Sequence, residues 1–439
     1  MDDGTGSPER GPASLIASLA DLRCRVIGVY PGWWVVGACC FLALFPGAVL
    51  SYGFPVFYIP IRDELMLTDT QVSLIFALSR AEAGIGGPIV GWMVDKFDSR
   101  PIVMVFGVMA GVGLIVLSGV DGYWYFVLVY VGIVSVGNNS GFGQTFLAVV
   151  NRWFVRRRAL GMTVVVTCYT VGGAMLLPVL SRGVEAIGWR DVVLYTGIFV
   201  VAVVIPFSLF IRRSPESAGI DLAEVGEAAE QAAVTSSAQS SGYDYTVREA
   251  LRTPIYWYIV VASALRISVT NGILIHAIPI MVWKGTSEQT GADMMALLFF
   301  VSIPARLLLG LSGLRLPGQG VLSAGMLVGG ISVLALNLVT DTWIIFLFVA
   351  GMAIHEGTSV LNWVLVGNLF GRRSFATLSG IISIFYSVGM MLTPLFLGWM
   401  VDRTGGYTES LLILTVLYGV SAGLFLICRR PQPKVPAAV

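Results

Sequence analysis

The chain has 439 residues, of which 56% are hydrophobic and 12% charged, and its mean hydropathy is +0.82. Soluble globular proteins carry about 25% charged residues, so this balance excludes a soluble enzyme and reads as an all-α, polytopic membrane protein. A net charge of +1 offers nothing to nucleic acid. The five cysteines, Cys24, Cys39, Cys40, Cys168 and Cys428, lack both metal-ligand spacing and a disulfide pattern, so neither a metal nor a cofactor is expected.

Residues 1–32 form a polar tail without the apolar core and small-residue cleavage site of a signal peptide. Beyond it, apolar runs of about 20 residues predict helices over 33–57, 70–93, 102–119, 124–149, 160–179 and 191–211. A second set is predicted over 255–282, 292–313, 320–339, 343–367, 375–400 and 409–428. Twelve spans put both termini on one side. With the N-terminus inside, nineteen Lys and Arg fall on inner segments and five (Arg62, Arg182, Arg190, Lys284, Arg403) on outer ones, the bias expected of cytoplasmic termini in a plasma or inner membrane. The one long connection, 212–253, is rich in Ala, Glu, Gln and Ser and reads as a cytoplasmic linker, with room for a short surface helix. The predicted organisation is a tail (1–32), a six-helix bundle (33–211), the linker, a second bundle (254–428) and a C-terminal tail (429–439).

A shift of 216 residues lays 141–178 on 357–394 with eight identities: Gly141/Gly357, Phe154/Phe370, Arg156/Arg372, Arg157/Arg373, Gly173/Gly389, Met175/Met391, Leu176/Leu392 and Pro178/Pro394. Glycines, a proline and a basic pair among the matches favour a duplicated unit over shared hydrophobicity. Between the second and third helices, Gly91-Trp92-Met93-Val94-Asp95-Lys96-Phe97-Asp98-Ser99-Arg100-Pro101 is a charged hairpin between two apolar runs. Gly91 lets two helices approach, Lys96 and Arg100 hold the turn at the cytoplasmic face, and Asp95 is placed to cap a neighbouring helix end or pair with a base. These four are the candidate gating residues.

This hairpin resembles the signature that major facilitator superfamily members carry between helices 2 and 3, with Asp98 where a glycine is usual. Its second-half counterpart, Gly310-Leu311-Ser312-Gly313-Leu314-Arg315, keeps the glycine and the base but not the acid. Within the superfamily, Trp153-Phe154-Val155-Arg156-Arg157-Arg158, Gly188-Trp189-Arg190 and Ser302-Ile303-Pro304-Ala305-Arg306 are similar to the monocarboxylate and oxalate/formate porter branch. The resemblance covers nearly the whole chain. It implies twelve transmembrane helices in two six-helix pseudo-repeats, and a helix-8 arginine, here Arg306, that binds a substrate carboxylate. The acid of that family one turn earlier is replaced by Ser302 and the helix-1 lysine of animal members by Val56, so a proton-coupled monocarboxylate mechanism does not simply carry over.

The residues themselves point the same way. A charge near a helix centre costs about 2.5 to 3.5 kcal/mol on insertion scales and faces a bundle interior or a wet cavity. At a 1.5 Å rise per residue, Arg80, Glu82, Arg266, Arg306 and Glu356 come out near the midplane with Asn138, which predicts a central cavity drawn from both halves. Candidate substrate contacts are Arg306, Arg80, Arg266, Asn138 and His276; candidate proton carriers are Glu82, Glu356 and His355. Blander readings stand beside these. Arg80 and Arg266 serve equally as inter-helix struts, Asn138 and Asn139 as polar packing within Gly137–Gly143, and His276 as a hydrogen-bonded histidine or an outer gate. His355 and Glu356 diverge by about 100°, so at most one faces the cavity. Arg80 and Glu82, two residues apart, do not face each other. The basic run Arg156–Arg158 reads as a lipid-headgroup determinant.

Three arginines against two buried carboxylates favour a small organic anion, a carboxylate, moved by alternating access in symport or antiport with a proton or counter-anion. No nucleophile elbow or phosphate loop is present, which argues against an enzyme or an ATP-driven pump. Membrane lipids are the other expected partner, and the protein is expected to act as a monomer. An efflux pump for amphipathic compounds and a transport-inactive receptor or scaffold are the alternatives.

Overall fold

The computed structural model describes residues 32–153, 158–211, 245–312, 317–370 and 375–428. The two tails, residues 212–244 of the linker, the arginines at 156, 157, 315, 372 and 373, and the side chains of Gly91 and Asp95 lie outside them. Twelve helices succeed one another: α1 (Gly32–Glu64), α2 (Asp69–Lys96), α3 (Ser99–Leu117), α4 (123–153), α5 (Arg158–Ile187), α6 (Trp189–Ser208), α7 (254–283), α8 (Glu288–Ser312), α9 (Gly318–Leu338), α10 (Ile344–Phe370), α11 (Phe375–Thr404) and α12 (Thr408–Ile427). Among the described residues there is no strand. Ten of these helices are long and apolar enough to cross a membrane; α2 and α8, which are not, carry Arg80 with Glu82 and Arg306 in their interiors. Large apolar side chains such as Trp124, Tyr125, Phe300, Ile331, Phe346 and Ile384 are exposed on the outside, as lipid-facing residues are.

Several helices run further than apolar length predicts, among them α1 to Glu64 rather than 57, α5 to Ile187 rather than 179, and α11 to Thr404 rather than 400. Their last turns are charged yet still helical, and Gly188 (φ 83°) and Gly405 (φ 76°) end α5 and α11 in the left-handed conformation. The linker also gains structure at its end. Thr246 and Glu249 form a capping box over Val247–Leu251, and the buried Tyr245 donates its backbone N–H to Phe370 O at 3.0 Å, docking the segment on the end of α10.

Pairing repeats with a six-helix offset. α3 packs on α6 as α9 on α12, α1 on α5 as α7 on α11, α3 on α4 as α9 on α10, and α2 on α4 as α8 on α10. The most extensive packing between the repeats is of α2 with α11 and α5 with α8, two pairs related by the same offset, and the end of α1 also packs on α7. The polar contacts joining the repeats at Asp69, Thr70, Ser73, Arg182 and Thr170 run from mid-membrane to the end carrying the 65–68 turn, so the seam is closed at that end.

Helix irregularities fall in α1, α4 and α7. α1 contains a π-helical turn at Ala43–Gly47 and a break at Gly53; α7 breaks at His276; α4 has π-helical turns at Tyr130–Ser135 and Asn139–Gly143. Such turns recur at functional sites. In α11, Pro394 lacks the N–H that would bond Met390 O, and Asn271 of α7 donates to that carbonyl at 3.4 Å.

Candidate functional site

Arg306 projects from α8 between three helices. Its Nη2 lies 3.8 Å from Glu356 Oε2 on α10, and its Nη1 donates to Thr170 Oγ1 on α5, in the other repeat, at 3.4 Å. The two charged side chains are 15% and 19% exposed, so the pair lines an open space rather than a sealed core. Gly357 brings α10 this close: a Cβ there would stand 2.9 Å from the carbonyl carbon of Ala305 and 3.1 Å from Arg306 N. Ser302, one turn before Arg306, donates its hydroxyl to Phe299 O, so the counter-charge comes from α10 instead of from α8. Arg306 Nε has no partner. One long ion pair and one weak hydroxyl contact leave unused N–H groups on the two Nη atoms of the planar guanidinium for a carboxylate.

Arg266, by contrast, is buried. It donates to His355 O at 3.4 Å and ties α7 to α10, the strut reading of the sequence, while adding positive charge behind Arg306 and Glu356. Tyr52, at the break in α1, has Arg306, Glu356 and Arg80 as charged neighbours and packs 4.8 Å from Phe299 of the other repeat. Arg80 lays its guanidinium 4.5 Å from the Phe76 ring centroid one turn earlier, and its Nε is unpartnered. Glu82 turns to α4, where it accepts from Ser135 Oγ at 2.9 Å and Asn139 Nδ2 at 2.8 Å. Asn139, the neighbour of the candidate substrate contact Asn138, thus serves the polar packing between α2 and α4.

The two histidines have different settings. His355 is fully buried: Nδ1 lies 3.3 Å from Gly325 O and Nε2 2.7 Å from Thr270 Oγ1, with Tyr418 edge-on at 5.2 Å. The Thr270 hydroxyl gives its one proton to Arg266 O at 2.7 Å, a carbonyl that only accepts, so it accepts from His355 Nε2. Glu356 is therefore the one of the adjacent pair that faces the open space. His276, also fully buried, sits in the α2/α11 seam, with Nε2 3.1 Å from both Pro394 O and Ser73 Oγ and Nδ1 3.0 Å from Tyr407 Oη. By the same logic Nε2 donates to Pro394 O and Tyr407 donates to Nδ1. His276 thus ties α7 to α2, to α11 and to the turn before α12.

In the 91–101 hairpin, Asp98 caps α3, accepting from Arg100 N at 3.4 Å, and Arg100 Nε donates to Ile211 O just beyond α6. Lys96 lies over Trp92 at 5.1 Å. At the other end, Arg190 donates to Ser118 O and Val120 O, both at 3.0 Å, closing the end of α3, and pairs with Glu64 and Asp121. Lys284 does the same for α9 through Asn337 O and Val339 O. Burial lowers the Lys284 pKa below the usual lysine value.

Tyr52, Thr170 and Asp402 escaped the sequence reading. Asp402 had a signal: Gly-Trp-Met-Val-Asp at 91–95 recurs at 398–402, each with a base directly after it, Lys96 or Arg403. Tyr52 had none, since an aromatic in an apolar run looks like packing.

Ten helices long and apolar enough to cross a membrane, with α2 and α8 packed among them around a charged, partly open interior, define a multi-pass integral membrane protein of the transporter class. Residues 39–377 match the Major Facilitator Superfamily, and the chain belongs to it. It is 23% identical to the probable sulfoacetate transporter SauU of Cupriavidus necator, over 88% of this chain and 91% of that one. It is 24% identical to monocarboxylate transporter 1 of Rattus norvegicus, over 90% and 84%, and these likenesses agree with the motifs of the monocarboxylate branch. In fold it is similar to a bacterial homologue of the human lysosomal transporter Spinster in an inward-facing, occupied conformation (TM-score 0.68, 17% identity, 90% and 94% covered). It is also similar to a POT family transporter in complex with 5-aminolevulinic acid (TM-score 0.70, 13% identity, 89% and 95% covered).

Proposed function

We propose that the protein is a secondary transporter of a small organic anion bearing a carboxylate, working by alternating access, with Arg306 as the carboxylate contact. The observation that carries this reading is the Arg306–Glu356 pair: a guanidinium held at 3.8 Å by one partly exposed carboxylate, with its fork otherwise open, at the boundary of the two repeats. Glu356 occupies Arg306 in the empty site. A substrate carboxylate displaces it, and a proton on Glu356 removes the competition, which couples anion and proton binding. The curated relatives named for sulfoacetate and monocarboxylate transport support an anionic substrate.

The test is a screen of purified protein in lipid vesicles with labelled C2 to C4 carboxylates and sulfonated acids, with and without an imposed pH gradient. Saturable uptake of at least one acid, raised when the side presenting substrate is acidified, supports the reading. Uptake of amphipathic cations with no anion flux contradicts it.

A further inference from the structure

The N-terminus of α2 is completed by a residue from the opposite repeat. Thr68 caps it with a capping box: its Oγ1 accepts from Gln71 N at 3.2 Å, and Gln71 returns a bond to Thr68 N at 2.9 Å. Val72 N bonds Thr68 O, so the box leaves two first-turn N–H groups, those of Asp69 and Thr70, without an intrahelical partner. Asp402, in the last turn of α11, takes both: Oδ1 accepts from Asp69 N at 2.9 Å, and Oδ2 from Thr70 N at 2.7 Å and from the Thr70 hydroxyl. The carboxylate therefore sits on the positive end of a 28-residue helix. Gly398, one turn earlier, permits the approach, because a Cβ there would stand 2.5 Å from both Asp69 O and Ser73 Oγ. Below this lies the His276 cluster with Ser73, Pro394 O, Tyr407 and Tyr58.

The segment 398–403 repeats 91–96 in sequence and in local form. Trp399 carries Arg403 at 5.3 Å just as Trp92 carries Lys96 at 5.1 Å. One copy lies at each end of the α2/α11 seam: 91–96 on the last turns of α2 and 398–403 on the last turns of α11.

We propose that Gly398 and Asp402 form a latch that holds the entrance at the 65–68 end shut and lets go as a unit when the repeats rock apart. The two N–H groups it releases are first-turn donors that water satisfies, so opening leaves no buried polar group unpaired and the latch reseats at each cycle. The latch rests on the alternating-access reading but is independent of which anion is carried.

Spin labels at Met66 and Thr342, exposed turns of the two repeats at that end, in full-length protein with its native cysteines replaced and reconstituted in lipid nanodiscs without substrate, report the gap by electron–electron distance. Wild type should populate mainly the short distance. Asp402→Asn, near-isosteric but uncharged, should lower the closed-to-open ratio about tenfold, Thr70→Val less, and Gly398→Leu at least as much as Asp402→Asn. A folded Asp402→Asn protein with the wild-type distance distribution overturns the latch even if anion uptake is normal. Absence of any long distance in wild type, with substrate or without, overturns alternating access instead.

Discussion

Replacing Glu356 by Gln removes the one negative charge beside Arg306 while keeping its size. At 3.8 Å the Coulomb attraction is about 1 kcal/mol in water and about 4 kcal/mol at an effective dielectric of 20. Both side chains are partly exposed, so solvent screening places the loss at about 1 to 2 kcal/mol. That energy is what an incoming carboxylate must displace, so freeing Arg306 should tighten anion binding about 5- to 30-fold. Calorimetric titration of an acid found in the uptake screen reads the effect directly. Unchanged affinity in Glu356→Gln would refute the competition between Glu356 and substrate.

Arg306→Lys keeps the charge but loses the two-point fork, so it should retain weak uptake where Arg306→Ala retains essentially none, with thermal melting checked for each variant. Gly357→Ala inserts a Cβ at 2.9 Å from Ala305 and should push α10 off α8, costing about 1 to 3 kcal/mol in stability and lowering uptake through Arg306 geometry; a melt and a transport rate equal to wild type would count against the close approach. Asn139→Ala deprives Glu82 of one of its two donors and should cost about 1 to 3 kcal/mol, whereas Asn138→Ala should stay within about 0.5 kcal/mol, a contrast that thermal unfolding resolves.

Helix number and repeat were legible because a membrane demands about 20 apolar residues per span, which ten of the helices supply, and α2 and α8 remain apolar enough between charged ends to be read as spans. Span ends were not, since Arg62 to Glu64 look like loop residues yet continue α1 out of the apolar zone. That Arg306 and Glu356 share one level was legible from residue counting, and they lie 3.8 Å apart. Their partnership was not, because it joins helices that sequence spacing cannot relate, and Thr170 lies in the other repeat. Which of Asn138 and Asn139 meets Glu82 turns on helical phase. Each π-helical turn inserts a residue and rotates the helix beyond it, and two such turns flank that stretch of α4. The contact between Asp402 and α2 spans more than 330 residues of chain, yet the repeated pentapeptide at 91–95 and 398–402 advertised it.

Counterflow in reconstituted vesicles tests the central claim most directly. Vesicles preloaded with an unlabelled acid from the uptake screen and diluted into the labelled acid should show transient accumulation above equilibrium with wild-type protein and none with folded Arg306→Ala. Equal accumulation by both proteins would contradict the assignment of Arg306 as the carboxylate contact, and binding without any counterflow by wild type would contradict transport itself.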